Sequence, residues 1–426
     1  RRFRKLGFKV TYITNFTDID DKIIKVALEE NIDFQEVSKR NIENYFDVMD
    51  KLNVLRADEY SKVTETIPEI IDMISILINK KHAYVAEDGV YFEIDTAPDK
   101  YGQLTGQTLD MVRSGAGGRV GQTGGGKRDH RDFALWKNAK SGEPYWPSPW
   151  GNGRPGWHIE CSAMSLKHLG ETFDIHGGGR DLMFPHHEAE IFQSECCLDR
   201  ENVVKYWLHN GMINVDGEKM SKSLGNFTTI SETFDSVKPL ALRYALLNAP
   251  YRQPIEFNQS MLEESQMHYN RLLNTYLEAA NIATSGVWKK NIFLNSVTER
   301  FTQGMNDDFN TRIAFVEVQS VIKKLQELIS SGNKEDSISA FLGWLDEFAG
   351  DVLGLIPGAD ELNILAEEID KKRNDISVVV EELLIQRQKA REEKNWEYAD
   401  EIRGKLNSMN VIVEDSPQGP KWKIED

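Results

Sequence analysis

Apolar positions along this chain repeat with two different periods, and the places where the period changes mark its organisation. Residues 8–13 (Phe8-Lys9-Val10-Thr11-Tyr12-Ile13) alternate as a strand does, and Asn15-Phe16-Thr17-Asp18 then offers cap residues for a helix predicted over 19–28. Helical spacing follows at 34–53 and 62–80, with short strands near 83–94. Strand alternating with helix predicts a parallel α/β sheet. Residues 96–156 are rich in Gly, Pro and Trp with few periodic stretches and read as an irregular insertion, after which the alternation resumes from Trp157 to Pro250. Segments 259–283, 308–331 and 335–354 are amphipathic helical patterns without intervening strand signals. Beyond a break at Pro357-Gly358, a charged helical pair (372–394 and 396–409) leads into two short strands around 411–413 and 422–423. The expected division is 1–95, 96–156, 157–250, 251–357 and 358–426: α/β, insertion, α/β, all-α bundle, and a small C-terminal α+β module.

Composition changes this picture little. At 426 residues the chain is too long for one ordinary domain, and 40 % hydrophobic residues suffice for real cores. A formal charge of −17 argues against a protein that coats nucleic acid over its whole surface, while leaving room for a local basic patch. Three cysteines, two of them adjacent (Cys196, Cys197), make no disulfide framework and suit a reducing compartment. No apolar run reaches 18 residues, so no membrane-spanning segment is expected. The chain opens on Arg1-Arg2-Phe3-Arg4-Lys5 with no initiating Met, and reads as a segment whose N-terminal part has been cut away.

Two stretches carry candidate chemistry. Cys161 follows Trp157-His158-Ile159-Glu160, and Pro185, placed to open a helix, precedes His186 and Glu190, four apart on one helix face. Thiolate, imidazole and carboxylate are all zinc ligands, although spacing alone favours the plainer reading of a surface ion pair and a buried thiol. Lys219-Met220-Ser221-Lys222-Ser223 is a cationic loop suited to triphosphate oxygens; its plain alternative is a solvated turn. Blander readings hold elsewhere. Asp18, Asp20 and Asp21 read as helix-start charges, Cys196 and Cys197 as core or surface thiols, and Trp146 and Trp150 as loop packing. The run 121–127 has phosphate-loop spacing, but Arg128 stands where a Ser or Thr would hold magnesium, so it reads as a flexible glycine loop.

Residues 219–223 resemble the KMSKS loop of class I aminoacyl-tRNA synthetases. The stretches 15–22, 156–164 and 176–190 resemble the cysteinyl enzymes of that class, and the similarity runs from about residue 7 to Trp422. The resemblance implies a Rossmann-type catalytic core that activates L-cysteine with ATP and Mg2+ and transfers it to tRNA(Cys). It implies a zinc ion on Cys161, His186 and Glu190 that selects the substrate as thiolate, with Trp157 packing beside the side chain. Thr17, His176 and Asp181 would line the amino-acid pocket, and Asp181 would pair with the substrate ammonium. Lys219 and Lys222 would stabilise the pyrophosphate leaving group, with Met220, Ser221 and Ser223 completing the ATP loop. Arg391, Asp400, Asp415 and Trp422 would read the anticodon. A monomer in the cytoplasm is expected, an organelle being the alternative.

The resemblance further implies an ATP-binding HIGH-type motif and a fourth zinc ligand, a cysteine, upstream of residue 1, so this segment alone is expected to make no adenylate. Two other readings stand beside the favoured one. A cysteine ligase with an amino-sugar acceptor would not be expected to need residues 371–426, and a non-catalytic tRNA-binding relative would not need the intact 219–223 loop.

Overall fold

A computed structural model describes the chain except at residues 107–125, 216, 221–224, 284–290, 333–334, 410, 417–418 and 425–426; at 370, 372–376, 378, 414–416 and 419–424 it describes the backbone alone. The chain divides into two units, Arg1–Ser265 with Phe301–Phe315, and Gln266–Arg300 with Val316–Asp426.

The first unit opens with a βαβ crossover. Strand β1 (Ile13–Phe16) leads through helices α1 (Asp21–Glu30) and α2 (Phe34–Lys51) to β2 (Glu59–Lys62), which pairs with β1 in parallel. The strand predicted at 8–13 is therefore displaced, with only Ile13 in the ladder. The cause is tertiary: Phe16 sits 5.2–5.6 Å from the rings of Tyr45, Phe46 and Tyr60, whereas Phe8 and Tyr12 stay exposed. The helix is correspondingly capped by Asp20, which accepts from Ile23 N–H, while Asp18 accepts from Thr64 N–H and Oγ1. Helix α3 (Ile67–Asn79) buries Ile67, Ile70, Met73, Ile74 and Leu77, one face at helical spacing.

The insertion is more regular than its composition predicts. Strands β3 (Ala83–Ala86), β4 (Gly89–Phe92), β5 (Phe133–Asn138) and β6 (Gly153–Pro155) form an antiparallel sheet in that order. Buried Asp132 ties it together, accepting from Tyr84 OH at 2.7 Å and Ile94 N–H at 3.1 Å. Trp146 and Trp150 pack against the core beneath it. The glycine run 121–125 lies outside the described residues.

A second parallel crossover follows: α4 (Trp157–Leu169), β7 (Phe173–Gly179), α5 (Glu188–Leu198) and β8 (Val204–Asn210), with β7 and β8 parallel and His176 opposite Trp207. One core runs through Ile70, Trp136, Ile159, Met164 and Phe192 and includes Cys196 and Cys197. Then come β9 (Ile213–Val215), β10 (Glu218–Lys219), α6 (Pro239–Leu247) and β11 (Ile255–Glu256), so that Lys219 stands on a short hairpin strand at the start of the predicted loop.

The second unit is helical before its last hairpin. It draws on α7 (Gln259–Ile282), α8 (Ile292–Asn306), α9 (Thr311–Ser330) and α10 (Glu335–Leu345). Helix α8 was not legible in the periodicity. Fully buried Trp344 donates to Thr298 Oγ1 at 2.8 Å, and buried Glu317 pairs with Arg300 at 2.7 Å. Helix α11 (Ala359–Glu392) begins directly after Gly358 and is longer than expected. With α12 (Trp396–Ser408), β12 (Val411–Ser416) and β13 (Gly419–Ile424) it closes a small core of Val380, Leu384, Ile402, Leu406 and Val411. No helix among the described residues is long and apolar enough to cross a membrane.

Candidate active site

Helix α4 starts at Trp157 because Gly156 fits under β5: a Cβ there would overlap the Ala134 carbonyl. This seating sets Trp157 and, one turn on, Cys161. On the facing side Phe184-Pro185 is a cis peptide, and Pro185 does not open an α-helix as predicted. It lies within a π-type turn (Met183–His187) in which Phe184 is non-helical, and α5 starts at Glu188. His186 and Glu190 are nevertheless brought to one face, with His186 Nε2 3.2 Å from Glu190 Oε1. Gly178 on β7 leaves room for the His187 ring, which a Cβ would meet at 2.9 Å.

Cys161 Sγ, His186 Nε2 and Glu190 Oε1 all lie within 4.8 Å of one another. Burial pushes the Glu190 carboxyl well above the usual carboxylate range. Burial, with Glu190 and Glu160 beside it, raises the Cys161 thiol likewise. Burial takes His186 down to about 3, helped by His158 and His176, so its imidazole is neutral and the His186–Glu190 contact is no ion pair. Glu190 Oε1 is buried and accepts no hydrogen bond despite its three histidine neighbours. An orphaned buried carboxylate oxygen is costly unless a cation meets it. Bonds of about 2.0–2.1 Å to N and O in a tetrahedron place two donors about 3.3–3.4 Å apart, close to the observed 3.2 Å between His186 Nε2 and Glu190 Oε1. Donor chemistry and spacing thus fit a zinc ion. Around them, His158 Nδ1 lies 3.0 Å from His186 Nδ1, leaving Nε2 to face Glu190, and Asn15 donates to Cys161 Sγ at 3.5 Å.

The other sequence-predicted residues distribute unevenly. Trp157 is half-exposed, its ring 4.5 Å from that of His186. His176 Nε2 lies 3.5 Å from Glu190 Oε1. Thr17 Oγ1 donates to Glu160 Oε2 at 3.5 Å. Asp181, in the turn after β7, pairs with Lys219 Nζ at 3.0 Å. Met220 is described; Ser221, Lys222 and Ser223 lie outside the described residues. Arg391 is in the last turn of α11 and Asp400 is exposed on α12, while Asp415 and Trp422 are backbone positions of β12 and β13. Sequence reasoning gave no role to His187, Trp207 or His209. Their signal was the alternation Trp207, His209 on β8 opposite His176 and Gly178 on β7, which becomes visible only once the strands are paired.

Sequence profiles of known families match three stretches: "tRNA synthetases class I (C) catalytic domain" over residues 1–267, "DALR domain" over 300–357, and "Cysteinyl-tRNA ligase anticodon binding domain" over 373–422. The cysteine–tRNA ligase of Bacillus velezensis is 43% identical over 98% of this chain and 87% of its own length. That of Carboxydothermus hydrogenoformans is 43% identical over 99% of this chain and 89% of its own. Among solved structures, Mycobacterium tuberculosis methionyl-tRNA synthetase bound by methionyl-adenylate superposes with a TM-score of 0.55 at 13% identity, covering 83% of this chain and 87% of that one. That likeness bears on the fold, which is the Rossmann-type class I architecture expected from the sequence. The catalytic-domain match and the near-complete coverage by such relatives lead to one conclusion: this chain belongs to the cysteinyl-tRNA synthetase family of class I.

Proposed function

We propose that this chain serves in a cysteine–tRNA ligase that activates L-cysteine with ATP and Mg2+ and passes it to tRNA(Cys). The observation that carries the reading is the convergence of Cys161 Sγ, His186 Nε2 and the orphaned Glu190 Oε1. Cys161, His186 and Glu190 would hold zinc, which when bound supplies a thiophilic contact that serine cannot satisfy. Selection of this kind matters because a pocket reading shape alone separates near-isosteres by about 1–3 kcal/mol. Trp157 shields the substrate side chain from water, and Thr17 and His176 shape the pocket around it. Asp181 receives the α-ammonium and must give up Lys219 to do so, since the two are paired at 3.0 Å. Lys219, once released, and Lys222 neutralise the phosphate oxygens as pyrophosphate leaves, together with Met220, Ser221 and Ser223. This is charge stabilisation and positioning, not proton transfer. Residues 358–426, with Arg391, Asp400, Asp415 and Trp422, would recognise the anticodon. A monomer in the cytoplasm fits this role.

The test is cysteine-dependent pyrophosphate exchange and cysteine attachment to bulk tRNA, run on the full-length protein, as wild type and Cys161→Ser, with zinc supplied. Both activities in wild type, with loss in the variant of at least about tenfold discrimination against serine, support the reading. Exchange without tRNA charging would redirect it to another acceptor, and retention of full cysteine selectivity in Cys161→Ser would remove the metal from the account.

A further inference from the structure

Glu190 Oε1 has donors on two sides. One set, Cys161 and His186, belongs to the site above. The other is His176 and His187, whose Nε2 atoms lie 3.5 Å and 3.9 Å from the same oxygen. These three donor atoms also fall within 4.8 Å of one another. With metal bonds of about 2.0–2.1 Å a tetrahedral edge is about 3.3–3.4 Å, so His176 is nearly placed and His187 needs only a small shift.

Each ring is held with its donor facing inward. His187 Nδ1 lies 2.7 Å from His209 Nε2, which orients the ring and leaves Nε2 toward Glu190. The ring of His176 is packed between those of Trp207, at 4.7 Å, and His187, at 4.9 Å. The other carboxylate of this turn, Glu188, is already committed: it accepts from the N–H groups of Gly102, Leu104 and Thr105. A cavity of about 190 Å³ lies against this cluster, lined by His176 and Glu190 together with polar Gln103, Ser194 and Asn202. Its volume accommodates several waters at about 30 Å³ each.

We infer that His176, His187 and Glu190 form a second metal seat, made of nitrogen and oxygen donors only and sharing Glu190 with the thiolate-containing first seat. The inference rests on the zinc reading of that first seat. An ion in the second seat shares Glu190 Oε1 with the first and draws His176 out of the amino-acid pocket, so metal beyond one equivalent inhibits cysteine activation.

Cobalt(II) titration of the metal-free chain tests this, because cobalt reports its donors by colour. The first equivalent should bring a thiolate-to-cobalt charge-transfer band in the near ultraviolet. A second equivalent, at least about tenfold weaker for want of a thiolate, should add visible d–d absorption with no further charge transfer. His187→Gln should abolish the second equivalent and leave the charge-transfer band. If that variant does not fold, judged by circular dichroism, His176→Asn serves the same purpose. Saturation at one equivalent in wild type, or a second equivalent that survives in these variants, overturns the second seat. Loss of the charge-transfer band alone, with variant-sensitive d–d absorption still present, would instead condemn the first-seat assignment.

Discussion

Lys219 and Asp181 are each about half-exposed, and such a pair contributes only about 0–1 kcal/mol to stability. With Asp181 receiving the substrate ammonium, as proposed, the consequence is competition, since the ammonium and Lys219 would share one carboxylate. Lys219→Ala is therefore expected to tighten cysteine binding by about two- to fivefold, the equivalent of about 0.5–1 kcal/mol. In the full-length enzyme the same change should slow pyrophosphate exchange. Equilibrium binding of cysteine beside exchange kinetics would show whether the two effects have opposite signs; weaker cysteine binding would refute the competition. Asp129 makes a separate prediction. Arg131, hydrogen-bonded to it at 2.8 Å, holds its carboxyl down at about 2. A depressed folded-state pKa stabilises above the unfolded value near 4, and the benefit is lost as pH falls from about 4 to about 2. With the group one-third exposed, about 1 kcal/mol is a fair expectation after screening. Denaturant titrations of wild type and Asp129→Asn should differ at pH 6 and converge toward pH 2.5.

Among the elements, β5, β6 and α4 act as one lever. Gly156 caps α4 at the point where it passes the Ala134 carbonyl, so any Cβ there must push the strand end or the helix away. Gly156→Ala is expected to cost about 1–3 kcal/mol and to weaken retention of the proposed zinc, because Cys161 rides on the displaced helix. Metal content after dialysis, compared with melting temperature, checks this; unchanged zinc in a stable variant would show that the helix start is not what places the thiol. Asp132 does the same service for the sheet, and Asp132→Ala should cost about 2–4 kcal/mol by leaving Tyr84 OH and Ile94 N–H without their buried acceptor, measured by urea unfolding.

For the whole molecule, the chemistry and the proposed anticodon reading belong to different stretches of chain. In the full-length enzyme, Arg391→Ala is expected to raise KM for tRNA several-fold and leave cysteine-dependent pyrophosphate exchange unchanged. Parallel assays of charging and exchange decide it, and a fall in exchange would mean that Arg391 supports the catalytic unit instead.

What the sequence determined by itself was whatever rests on local period and on contiguous motifs. Helices α2, α3 and α7, the crossover from α4 to β8, and His186 and Glu190 on one face could all be read from it, because helical spacing and four-residue offsets are properties of neighbouring residues. Joining Cys161 to that pair as a ligand set rested on the family resemblance. The tertiary structure decided what depends on partners distant along the chain. It set the start of β1 at Ile13, where Phe16 finds its ring cluster, and joined β5 and β6 to a hairpin some 40 residues earlier. It also placed His187, Trp207 and His209 around Glu190, a gathering that no spacing announces, since two strands in register bring together residues that local physics treats as unrelated.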